Sequence, residues 1–134
     1  MGKIAKTVKS VLDSFGVDTS FVDGGSNCRY EFANVIEEVA LRFQFDINEA
    51  AEFLVVKAYP FTKTDVSALL GALPKINQCN NLNMFVKVQV DGDGELRFSM
   101  PVLGAEGVIS PKMVASAFIT TANTAKDCIP KIVG

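Results

Sequence analysis

The stretch Val39-Ala40-Leu41-Arg42-Phe43-Gln44-Phe45-Asp46-Ile47 decides the fold. Val39, Leu41, Phe43, Phe45 and Ile47 are apolar, and Ala40, Arg42, Gln44 and Asp46 alternate between them. A period of two puts alternate side chains on opposite faces, so this is a half-buried antiparallel strand with one wet face. Its aromatic and β-branched residues favour a pleated surface over a helix. Working outward, Tyr30 and Phe32 open an earlier strand that reaches Ile36, with Glu37-Glu38 as the turn. Asn48 to Glu52 is a polar connection of hairpin length, and Phe53 to Tyr59 returns as the next strand.

The flanks change period. Ile4, Val8, Val11, Leu12 and Phe15 form one stripe of a helix over Lys3 to Phe15, and Gly16 follows where a left-handed residue ends a helix. Lys3, Lys6 and Lys9 stand opposite as a solvated face. Asp23 to Asn27 reads as a loop without a phosphate-cradle spacing. Thr64 or Asp65 caps a second helix carrying Val66, Leu69, Leu70, Leu73 and Ile76, within which Pro74 must bend the helix or start a second piece. Met84, Val86, Val88 and Val90 alternate into Asp91-Gly92-Asp93-Gly94, and Leu96, Phe98 and Met100 alternate out, which is a second hairpin. Pro101 marks an edge position or a bulge. Ser110 and Pro111 start a last helix with Val114, Ala117, Phe118, Thr121, Ala125 and Ile129 on one face, and Pro130 is expected to end it. The expectation is one α+β domain over residues 1–134: an antiparallel sheet of about five strands flanked by three helices, in the order α-β-β-β-α-β-β-α.

Composition excludes more than it assigns. The 134-residue chain holds no His, which removes Ser-His and Cys-His nucleophile pairs and histidine metal sites. Thirteen Lys and Arg against fifteen Asp and Glu give a net charge of −2, so nucleic acid is not the expected partner. Cys28, Cys79 and Cys128 are widely spaced with no C-x-x-C, as expected of reduced thiols in a cytoplasmic protein rather than a disulfide framework. The start Met1-Gly2-Lys3-Ile4-Ala5-Lys6 does not read as a signal peptide, and no run is long enough to span a membrane.

The candidate chemistries read as structure. Asp91, Asp93 and Glu95 suggest a calcium loop, but Leu96 stands where an EF-hand beginning at Asp91 needs glycine, so a tight hairpin accounts for them. Cys79 and Cys128 fall late in helices, where the dipole disfavours a thiolate, and Cys28 has only Arg29 beside it. The pairs Glu37/Glu38 and Glu49/Glu52 sit in turns, where solvated charge is the default. Asn80, Asn81 and Asn83 are expected to fix a junction between helix and strand by bonding the backbone. No catalytic residue, metal ligand or cofactor site is expected.

The second half is similar to a known family. Asn80 and Asn83 in an N-x-x-N-like segment, the run Leu82-Asn83-Met84-Phe85, the turn Asp91-Gly92-Asp93-Gly94-Glu95 and Ile109-Ser110-Pro111 before the last helix resemble the YbjN-type family of candidate bacterial sensory-transduction regulators. The match covers Phe43 onward, and the first helix by pattern only. None of the motifs is catalytic. The resemblance implies the fold of the small dimeric type III secretion chaperones, and with it binding to a client or regulatory partner rather than an enzyme activity. Pro74 departs from a continuous helix at a pairing surface.

A mean hydropathy of +0.26 with 21% charged residues fits either an apolar-rich monomeric core or an apolar face covered by a second subunit or a client chain. The leading expectation is therefore a non-enzymatic protein-binding module, homodimeric, offering Val66, Leu69, Leu70 and Leu73 to a partner or client chain. The alternative is a small-molecule sensor whose apolar pocket between sheet and helices is lined by Phe43, Phe45 and Phe98.

Overall fold

The computed structural model describes residues 2–104 and 106–133. Its elements are α1 (Lys3–Ser14), β1 (Ser20–Gly24), β2 (Asn27–Ile36), β3 (Val39–Asn48), β4 (Phe53–Pro60), α2 (Val66–Gly71), α3 (Leu73–Leu82), β5 (Lys87–Val90), β6 (Leu96–Leu103) and α4 (Pro111–Val133). The strands form one antiparallel sheet in the order β1-β2-β3-β4-β6-β5. The expected architecture stands, with two counts corrected among the described residues: six strands rather than about five, and four helices rather than three.

The added strand is β1, which ends inside the stretch read as a loop. All five of its residues are exposed, so no apolar alternation announces it, and it exists because β2 continues back to Asn27 and pairs Gly24 with Asn27. The added helix comes from Pro74. It occupies the first turn of α3, where its missing N–H has no carbonyl to meet, and the chain breaks at Ala72 instead of bending. Pro130 does not end α4; three more residues remain helical because Ile132 is buried with Cys128 and Ile129.

The sheet presents two different faces. Tyr30, Phe32, Leu41, Phe43, Phe45, Ile47, Leu54, Val56, Ala58, Leu96 and Phe98 alternate inward and are buried beneath the helices. The long α4 lies across β4 and β6, α1 packs beside it, and α3 covers β5. Phe118 of α4 stands at the centre. Its ring meets Phe15, Phe32, Phe43 and Phe45 edge-on, with centroids 5.0 to 5.7 Å away. Arg29, Glu31, Arg42, Gln44, Asp46 and Lys57 take the alternate positions on the other, helix-free face, half-exposed.

The two sheet edges differ. On β5, the Asn80 side chain donates to the Val88 carbonyl at 2.6 Å and accepts from the Val88 N–H at 2.7 Å. One amide thus completes the outer edge as a neighbouring strand would. Because Val88 points away from β6, Lys87 and Gln89 face it, and their partners Ser99 and Arg97 face β5. By the same alternation Pro101 faces outward past the end of β5, where its missing N–H leaves no orphan donor. The opposite edge, β1, carries no such cover among the described elements.

Candidate functional site

The α2–α3 segment carries two apolar lines where an ordinary surface helix carries one. Leu69, Ala72, Ile76 and Cys79 recur at spacings of three and four and are buried as a single line that runs through the break at Ala72. Val66, Leu70 and Leu73 recur in the same way beside it and are exposed. The expected partner face therefore divides: Leu69 belongs to the core, and the other three remain on the surface.

From the last residue of α3 onward the apolar surface continues in residues that the sequence reading placed in a family-like run and not in the partner face. Leu82, Met84 and Phe85 are 77%, 91% and 65% exposed. Met84 was expected to begin β5, facing inward, but the strand starts at Lys87. The bend between is held by Asn83, whose amide donates to the Cys79 carbonyl at 2.7 Å and whose oxygen accepts from the Val86 N–H at 2.8 Å. Asn80 and Asn83 are thus the structural junction their spacing suggested, and the bend they hold carries the Met84 and Phe85 side chains in solvent. The legible signal was the apolar Leu-x-Met-Phe directly after an asparagine-rich run.

The rings expected to line a pocket between sheet and helices fill that space instead. Phe43, Phe45 and Phe98 are fully buried, and Phe43 and Phe45 pack against Phe118 in the space between sheet and helix. None of the three lines any of the surface clefts described. The largest of these four clefts, about 460 Å³, lies on the helix-free face instead, among Val22, Arg29, Asp46, Phe53, Val55 and Lys57. Its charges are matched. Asp46 is paired with Arg29 and, at 2.6 Å, with Lys57. Burial pushes the Asp46 carboxyl up, but the hydrogen bonds and charges of Arg29 and Lys57 outweigh it and hold the group below the usual carboxylate range.

Two further carboxylates, Glu49 and Asp91, hold backbone N–H groups. Glu49 accepts from the N–H groups of Ile4 at 3.0 Å and Ala5 at 2.9 Å, and so caps α1, whose N-terminal Gly2 has no side chain to do it. Asp91 accepts from the N–H groups of Asp93 and Glu95 at 3.0 and 2.9 Å within the hairpin turn, and Glu95 pairs with Arg42. Among the described residues no group of three or more His, Cys, Asp or Glu side chains is placed to hold a metal ion. Burial, followed by the charges of Glu49 and Asp23, pushes the Cys28 thiol up, away from the thiolate that a nucleophile needs. No helix among the described residues is long and apolar enough to cross a membrane.

No protein-family model and no curated protein matches the chain. Among solved structures it is similar to YbjN from E. coli, described as a candidate transcription regulator. The TM-score is 0.65 at 18% identity, over 95% of this chain and 89% of that one. The chain has the YbjN-type fold.

Proposed function

We propose that this chain, built on the YbjN-type fold, is a non-enzymatic, regulatory protein-binding module that offers the α2–α3 segment and the bend after it to a partner chain. One observation carries the reading. Among the described residues, six of the fifteen exposed large hydrophobic side chains (Val66, Leu70, Leu73, Leu82, Met84 and Phe85) fall within residues 66–85. Scattered exposed apolar residues need no explanation, but a concentration of this kind marks an interaction surface. Met84 adds an unbranched, flexible contact that adapts to different partners. Similarity to a candidate regulator supports a regulatory role. A second copy of the chain is one occupant consistent with the expected homodimer.

The test is the double variant Leu70→Asp/Leu73→Asp. Both side chains are exposed, so the fold should survive, as circular dichroism and an unchanged melting transition would show. Polypeptides that co-purify with the wild-type chain should be lost with the variant, and a wild-type dimer in light scattering should become a monomer. Equal recovery with both chains, at equal mass, would sink the proposal.

A further inference from the structure

The cleft on the helix-free face is built from neighbouring rungs of the sheet. On one rung Val22, Arg29, Asp46 and Val55 stand directly across from one another on β1, β2, β3 and β4. On the next, Asn48 of β3 stands across from Phe53 of β4. Alternate residues of a strand share a face, so Lys57 joins Phe53 and Val55 on β4. The cleft therefore has apolar side chains at both ends, Val22 on β1 and Phe53 with Val55 on β4, and Arg29 and Asp46 between them. Its volume of about 460 Å³ is that of a small-ligand pocket.

The hydrogen-bonding capacity of this cluster is lopsided. Asp46 accepts from the Arg29 Nε, accepts from the Arg29 Nη2 at 3.2 Å, and holds the Lys57 ammonium at 2.6 Å. Both oxygens of the carboxylate are engaged. Lys57 has N–H donors left over, and so has Arg29, whose bond to Glu31 is long at 3.4 Å. Asn48 uses its side-chain oxygen to accept from the Ala51 N–H at 2.8 Å, which leaves the N–H groups of its amide as donors. Charge points the same way. Counted with Glu31 the cluster is neutral, but the Glu31 side chain is 42% exposed against 24% for Asp46 and 20% for Lys57. Within the half-buried part, two cations share one carboxylate.

We propose that this cleft is a binding site for a small carboxylic acid with an apolar body. The carboxylate of the ligand accepts from Lys57, Arg29 and Asn48, and its hydrocarbon part covers Val22, Phe53 and Val55. A single negative charge is what the half-buried cluster lacks, and charge-assisted hydrogen bonds are the strong ones. The apolar ends select against a bare inorganic anion, which would leave them uncovered. Because the cleft and the helices are on opposite faces of the sheet, this ligand does not compete with a partner held by the α2–α3 segment.

The experiment titrates the isotope-labelled full chain with sodium octanoate and follows its amide resonances. Octanol supplies the body without the charge, and acetate the charge without the body. Octanoate should give saturable shifts centred on Val22, Arg29, Asp46, Asn48, Val55 and Lys57, with each control binding about tenfold more weakly or worse. Lys57→Met keeps the stem and leaves Arg29 on Asp46, and it should weaken octanoate about tenfold. Val22→Asp, at a residue 54% exposed and so without cost to the fold, removes one apolar end and adds a repelling charge, with a loss of similar size. Glu31→Gln frees Arg29 and should tighten binding severalfold. The proposal is overturned by the absence of saturable shifts, by octanol binding as tightly as octanoate, by shifts centred on residues 66–85 instead, or by wild-type affinity in both Lys57→Met and Val22→Asp.

Discussion

Asp46 shows how much a single side chain owes to its neighbours across the sheet. Alternation marked it as a wet-face residue of β3, and it is one. Its partners were not legible, because Arg29 and Lys57 are distant in sequence and only the register sets Arg29 opposite Asp46 and Lys57 one strand further on. Since its folded carboxyl titrates below its unfolded value, the unfolded chain takes up the proton first as acid is added. The stabilisation is fully present above the unfolded value and is lost as pH falls through the folded one. Urea midpoints measured from pH 6 down to about pH 2 should therefore fall less steeply for Asp46→Asn than for the wild type. Identical acid limbs would contradict the assignment.

At the scale of elements, composition predicts interiors better than ends. Helix α1, strands β2 to β4 and the second hairpin were legible because each repeats its period several times. β1 was not, because an edge strand of exposed residues has no period to read. Pro74 and Pro130 have opposite outcomes for one reason: a proline is costly only where its missing N–H would have met a carbonyl. Pro74 sits in a first turn, and at Pro130 burial of Ile132 outweighs the loss. The Asn80 clamp closes an edge that the sequence showed only as an asparagine-rich run. Asn80→Ala leaves the Val88 N–H and carbonyl without their partner, at a cost of about 2 kcal/mol. The denaturation midpoint should drop accordingly, and aggregation should become concentration-dependent as β5 opens to strand pairing. A variant with wild-type stability and solubility would show that the clamp is dispensable.

Across the whole molecule, the sheet and α4 are joined through Phe118, whose ring meets aromatic rings from the C-cap of α1, from β2 and from β3. Phe118→Ala removes that common partner and leaves a cavity that several elements would have to collapse together to fill. The expected cost is about 3–5 kcal/mol, read from urea denaturation, against under about 1.5 kcal/mol for Phe118→Leu. Equal losses for the two variants would mean that the cavity is not what matters. The sequence by itself determined the class of fold, the alternation of the sheet and the missing histidine chemistry, since these follow from local period and residue type. Only the tertiary structure decided that Leu69 goes inside while Leu70 and Leu73 stay out, and that Phe43 and Phe45 fill the core rather than line a pocket. Each of those outcomes depends on which distant segment arrives opposite a residue, and periodicity within one segment carries no information about that.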